Sequence, residues 1–223
     1  EIITVQVGQA GVQQGVALWE LFCKEHHLDD DGFLYSDFRY RNKTMNGNSV
    51  DDAKRELNSF FYETSAPGRF LPHSLMIDLD AESVDSVRSG RFRRFFHPNY
   101  LISGQEDAAS LFARGHYTEG RQLMNTIEER LRRQTELCES FQGFQHFHSV
   151  NGGTGSGLAT LVMEHIRDHY PRKSQMDYCI VPSSRFSTSV LETYNAMIAL
   201  TRLLDDVDMS IVLDNHSLCN IAT

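Results

Sequence analysis

Apolar residues along the chain follow two periods that alternate in a regular order. Ile2 to Val7 forms a short run of strand character, and after Gly8-Gln-Ala-Gly11 the apolar positions Val12, Val16, Trp19 and Cys23 switch to helical spacing. Leu75 to Leu79 repeats the strand signal, with Val84 and Val87 marking a short helix behind it. Residues 107–138 read as one long helix whose start is blurred by Gly115 and Gly120. Phe144 to Val150 predicts the next strand, and Leu158, Leu161, Val162 and Ile166 form one face of the helix that follows. Tyr178 to Val181 is a further strand. Thr188 to Leu204 predicts a helix with the stripe Val190, Leu191, Tyr194, Ile198 and Leu203, and Ile211 to Leu213 is the last strand. The chain stops at Thr223 inside what reads as a new helix.

A strand–loop–helix unit repeated about six times predicts an α/β fold, a Rossmann-like and mainly parallel sheet with helices on both faces. The polar stretch 35–58, which includes Arg39, Arg41, Lys43 and Asn46, carries no period and reads as a long surface loop. No linker composition marks a second domain, so residues 1–223 are expected to form a single domain, a truncated N-terminal piece of a longer protein.

Composition narrows the function classes. At 223 residues and 40% hydrophobic content the chain can bury a continuous core. Its net charge of −9 argues against holding nucleic acid through the phosphate backbone. No run of eighteen apolar residues supports a membrane span, and the opening EIITVQVGQAG has no secretory character, so the expectation is cytosolic. Cys23, Cys138, Cys179 and Cys219 are far apart and read as packed free thiols.

The sharpest local feature is Asn151-Gly-Gly-Thr-Gly-Ser-Gly157, placed between a strand and a helix. Glycines let backbone amides approach an anion, a helix N-terminus adds partial positive charge, and Thr154 and Ser156 offer hydroxyls. The loop has no Lys, so it is not a Walker A motif, and the first turn lacks the spacing of a dinucleotide fingerprint. A bulky residue at Gly153 is expected to block phosphate. In a parallel sheet the loops at the strands' carboxyl ends share one rim. Gln9 and Gln13, Asp78 and Asp80, Asp107, Ser187 with Glu192, and Asp214-Asn215 all fall on such loops. Acids beside phosphates make sense when they hold Mg²⁺ through water, and the Asn215 amide suits a base or ribose edge.

Outside the rim, His146 and His148 alternate on a strand, and His165 and His169 are four apart on a helix. Neither pair shows a third metal donor in the sequence. Arg88, Arg91, Arg93 and Arg94 read as a basic face.

The glycine run, the opening Glu1 to Gly11, Asp107-Ala-Ala, Ala113-Arg-Gly-His-Tyr117, Tyr194-Asn195 and Asp214-Asn215 together resemble the tubulin family in order and spacing. The resemblance covers the whole chain. It implies an N-terminal GTP-binding domain whose partner domain lies outside this chain, holding GTP or GDP with Mg²⁺. Gln9, Ala10 and Gln13 would form the first nucleotide loop, and Asp78 and Asp80 the second, toward the metal. Asp107, Ala108 and Ala109 would form the third loop, with Ser149, Gly152, Gly153, Thr154 and Gly155 at the phosphates. Ser187 and Glu192 would meet the sugar, and Asn215 the guanine. The implied partners are other tubulin subunits, joined head to tail and also laterally, in microtubules, the cytoskeleton or a centriole or basal-body region. Neither nucleic acid nor membrane is implied as a partner.

Three positions depart from the family pattern. Asp80 stands where the family usually has Glu, Ser110 where it usually has Asn, and Asn151 replaces the first Gly of a three-Gly run. The mosaic of α-, β- and γ-like stretches resembles a divergent minor member, ζ-type. A rival reading is a tubulin-like structural or regulatory protein that binds nucleotide weakly or without turnover. GTP hydrolysis is implied only for the full-length, assembled protein, whose further nucleotide-contacting segments would lie beyond Thr223.

Overall fold

The computed structural model describes residues 1–35, 57–182 and 189–222. Most of the predicted surface loop and Ser187 lie outside them. Among the described residues, six parallel strands form the main sheet: β1 (Ile2–Val7), β4 (Ser74–Asp78), β5 (Leu101–Ser103), β6 (Gly143–Ser149), β7 (Ser174–Val181) and β8 (Met209–Asp214). Their order across the sheet is β5-β4-β1-β6-β7-β8. The two remaining strands, β2 (Phe61–Glu63) and β3 (Phe70–Pro72), pair as a separate antiparallel hairpin. With β5, they are three-residue strands too short to produce a period in the sequence.

Central β1 is nearly all buried because helices cover both of its faces. On one face, Ile3, Val5 and Val7 join Leu75 and Ile77 in a core closed by three helices. These are α3 (Glu119–Leu137), α4 (Ala159–His169) and α5 (Val190–Asp206). On the other, α1 (Gly8–Glu25) and α2 (Ala81–Ser89) close a second core around Trp19, which meets Phe61 and Phe95 edge-on at 5.4 and 6.3 Å. Polar strand positions on this side satisfy one another: Ser74 donates to Gln6 Oε1 at 2.9 Å, and Gln6 donates to Thr4 Oγ1 at 3.0 Å. Gly11 lets α1 sit directly on β6, where an added Cβ would stand 2.2 Å from the Phe147 carbonyl.

Two predicted helices need correction. The helix predicted over 107–138 starts at Phe112, and its first full turn, Arg114–Thr118, is π-helical. Residues before it cannot be helical, because Ala109 and Ser110 have φ of +48° and +55° and Asp107 accepts from the Ala109 amide at 3.0 Å. In α5, Leu203 is buried as expected, but Val190, Leu191, Tyr194 and Ile198 face outward; Val190 is 75% exposed and Tyr194 59%. The core side also carries Asn195, Ala196 and Ala199. The helix is apolar all round, and small side chains let it approach α4 closely, so residue size misidentifies the buried face.

The arginine face is partly neutralised: Arg91 meets Asp30 at 2.6 Å and Arg94 meets Asp31 at 3.3 Å, both at the surface. None of the described helices is long and apolar enough to cross a membrane. α6 (Asn215–Ala222) is the last helix among the described residues.

Candidate nucleotide site

The strand order turns at β1, with later strands added outward on each side of it. Ligand crevices form outside the carboxyl ends of strands at such a switch point. Here the ends of β1, β4 and β6 open into one cleft of about 430 Å³. Gly8, Gln9, Ala10 and Gln13 line it from the start of α1, and Asp78, Asp80, Glu82, Ser83 and Ser86 from the end of β4 and α2. Asp107 and Ser110 close a third side, and Ser149 with Gly152 to Gly155 the fourth.

The glycines of the phosphate-type loop have different tasks. An added Cβ at Gly152 would meet nothing within 4 Å, so that position faces open cleft. At Gly153 it would stand 2.7 Å from both Ala108 Cβ and the Leu111 amide, so the expectation that Gly153 is where a side chain blocks phosphate moves to Gly152. An added Cβ at Gly155 would stand 2.5 Å from the Ser149 carbonyl, and one at Gly157 2.4 Å from the Phe112 carbonyl, so both glycines are needed for close packing. Thr154–Leu158 is a π-helical turn, packed against the π-turn at 114–118, and such turns occur often at functional sites. Ser156 does not offer its hydroxyl to the cleft, because it donates to the Gly152 carbonyl within the loop.

Two buried groups hold these loops in register. Asn195 donates from Nδ2 to the carbonyls of Ser110 (2.8 Å) and Asn151 (2.9 Å), and its Oδ1 accepts from the Phe112 amide at 3.1 Å. One side chain thus ties the third loop to the phosphate-type loop and balances the left-handed strain at Ala109 and Ser110. In the sequence it was one element of the family likeness; its signal as a clamp is an Asn amid an apolar helix. The second group is His148, whose Nδ1 donates to the Gly155 carbonyl at 2.6 Å and whose Nε2 meets Asp177 at 2.9 Å. Burial opposes charge on His148, but the Asp177 carboxylate outweighs it and holds the imidazole's pKa above its ordinary value. Asp177, which also accepts from Ser210 at 2.8 Å, stays below the usual carboxylate range despite burial.

The two candidate magnesium acids line the cleft and differ in environment. Asp78 is buried, which raises its pKa, and it accepts from Ser83 Oγ. Asp80 caps α2 by accepting from the Glu82 amide at 3.3 Å. Glu82, Ser83 and Ser86 line the cleft although sequence reasoning passed over them; no motif singles them out.

Of the other predicted residues, Ala108 is fully buried behind the cleft and Ala109 sits at the exposed turn. Glu192 lies in the first turn of α5, outside the cleft lining. Asn215 starts α6 beside a shallow depression with Leu218, Cys219 and Ala222, also apart from it. Polar side chains, amide-rich backbone and the open face of Gly152 fit an anionic ligand accompanied by a hard cation.

Under the site, three buried histidines have pKa values depressed, first of all by burial: His73, His116 and His146, the last from 6.5 to about 4. An unfolded chain binds protons that these neutral rings refuse, so their stability contribution is present above about pH 6.5 and lost as pH falls toward 4. His148, shifted the other way, offsets part of this. His146 alone accounts for about 2 kcal/mol between pH 6.5 and pH 5. Thermal melts across that interval are expected to show acid destabilisation that His146→Gln reduces; an equal loss in the variant would contradict this.

The tubulin alpha chain of Dictyostelium discoideum is 40% identical over 222 residues, 99% of this chain and 47% of that relative. The tubulin alpha-1B and alpha-2B chains of Physarum polycephalum are each 42% identical over 221 residues, with the same shares covered. The chain therefore spans about half the length of the curated relatives it matches. The description "Tubulin/FtsZ family, GTPase domain" matches residues 1–223, and by that match over its whole length the chain belongs to the Tubulin/FtsZ family.

Proposed function

We propose that this domain binds GTP or GDP with Mg²⁺ and that the full-length protein is an assembly subunit, joined head to tail and laterally to other tubulin subunits in the cytoskeleton. The open face of Gly152 inside a polar cleft at the switch point carries the reading. The amides of Gly152 to Gly155 with the Thr154 hydroxyl would hold the phosphates, flanked by Gln9, Ala10, Gln13 and Ser149. Asp107 to Ala109 would shape the third wall, and Asp78 and Asp80 would hold Mg²⁺ through its water shell. Bound Mg²⁺ would neutralise charge on the phosphate oxygens. Ser187 and Glu192 would approach the sugar, and Asn215 the base. Hydrolysis would belong to the assembled full-length protein.

A regulatory subunit with weak nucleotide binding is the second reading. It is favoured by Asp80, short and engaged as a helix cap, and by Ser110, which holds a left-handed φ without the local bonding of an Asn side chain. Competition for a fluorescent GTP analogue on the full-length protein separates the readings. GTP should displace it far more effectively than ATP or NADH. Tighter binding of NADH would point to a dinucleotide enzyme, and no displacement by GTP would leave only the regulatory reading.

A further inference from the structure

α3 and α4 contribute to the same core on one face of the sheet, and at their surface Glu128 of α3 reaches His165 and His169 of α4. The Glu128 carboxylate stands 4.0 Å from His165 Nε2, and the two imidazoles stack with centroids 3.9 Å apart. One donor atom from each residue lies within 4.8 Å of the other two. We propose that Glu128, His165 and His169 form a surface binding site for a borderline divalent transition-metal ion of the Zn²⁺ class, bridging α3 and α4.

Three observations carry this beyond a chance meeting of polar side chains. First, histidines at i and i+4 project from one helix face one turn apart, a spacing that lets both rings reach one ion. The pair is evident in the sequence, but its third donor comes from another helix and appears only in the fold. Second, His169 Nδ1 lies 2.9 Å from the His165 carbonyl. A carbonyl only accepts, so Nδ1 is the donor and Nε2 is the ring nitrogen left to meet an ion. Fixing one ring nitrogen through a carbonyl is a typical support for a metal-ligating histidine. Third, the 4.0 Å separation of Glu128 and His165 is too long for a hydrogen bond, yet modest side-chain movement brings the donors to the 2.0–2.2 Å metal distances typical of such ligands.

Two imidazoles and one carboxylate select the ion. Mg²⁺ and Ca²⁺ prefer all-oxygen shells, whereas imidazole suits Zn²⁺ and its neighbours, with water completing the coordination. His165 is mostly covered and Glu128 is half exposed, so the site is anchored on one side and open to entering ions on the other. An ion here would fasten α3 to α4, the helix that continues directly from the phosphate-type loop, and would raise stability by mass action. This inference does not depend on nucleotide binding.

The test uses purified full-length protein, stripped by chelator and kept in saturating Mg²⁺ so that any hard-cation site stays filled. Co²⁺ titration should produce visible d–d absorption saturating at one equivalent, reversed by Zn²⁺, and Zn²⁺ should raise the melting temperature. Glu128→Gln, His165→Ala and His169→Ala should each weaken Co²⁺ affinity about tenfold or more and remove the thermal shift. Their metal-free melting should stay close to that of the unchanged protein, and the half-exposed Glu128→Gln serves alone if a histidine variant folds poorly. Absence of a Co²⁺ spectrum in the unchanged protein, or undiminished affinity in Glu128→Gln and the folded histidine variants, would overturn the proposal.

Discussion

Valine at Gly152 is expected to abolish guanine-nucleotide retention while leaving the domain folded. A Cβ there has nothing within 4 Å, so the new methyl groups enter the cleft that the phosphates would occupy without disturbing any packed neighbour. Valine at Gly153 should behave differently. Its Cβ would stand 2.7 Å from Ala108 Cβ and the Leu111 amide, so the third loop must shift, at a cost of about 1–3 kcal/mol typical of overpacking. Melting temperature and bound-nucleotide content, measured together, distinguish a blocked cradle from a strained scaffold. Normal nucleotide content in a well-folded Gly152→Val variant would remove the cradle.

The second large effect concerns the buried pair beneath that loop. His148→Ala should destabilise the domain by about 3–5 kcal/mol, because it leaves the Asp177 carboxylate buried without its counter-charge. It also removes the donor to the Gly155 carbonyl, so nucleotide should dissociate faster from whatever folded protein remains. Replacing both partners with apolar residues of similar volume should cost less than removing His148 alone, since neither an orphaned charge nor a large cavity is left. Urea unfolding of the two variants tests this ordering; a loss below about 1 kcal/mol for His148→Ala would show that the pair carries little charge interaction.

Most of the sheet was legible because parallel strands buried on both faces write continuous apolar runs, and their helices write a clear period. The loops after β1, β4 and β6 are legible for the same reason, whereas the Asp107 to Ser110 wall follows β5, which is too short to show a period. What escaped reading depended on the third dimension. Asn195 enters the sequence reading only as part of the family likeness, yet the fold places it between two loops distant in sequence. The buried face of α5 is hidden in the sequence because apolar residues occur around its whole circumference and size favours Val190 and Tyr194 over Ala196 and Ala199. The glycine loop disclosed an anion cradle but not its open position, since the direction of a missing Cβ is set by the backbone and not by residue spacing. The third donor beside His165 and His169 was hidden for a similar reason, as α3 and α4 meet only after folding.

A guanine nucleotide held in the cleft at the ends of β1, β4 and β6 should copurify with the protein. Denaturing freshly purified full-length protein and chromatographing the released small molecules tests it most directly. Close to one equivalent of GTP or GDP per chain is expected, lost in Gly152→Val; release of no guanine nucleotide would rule out the site.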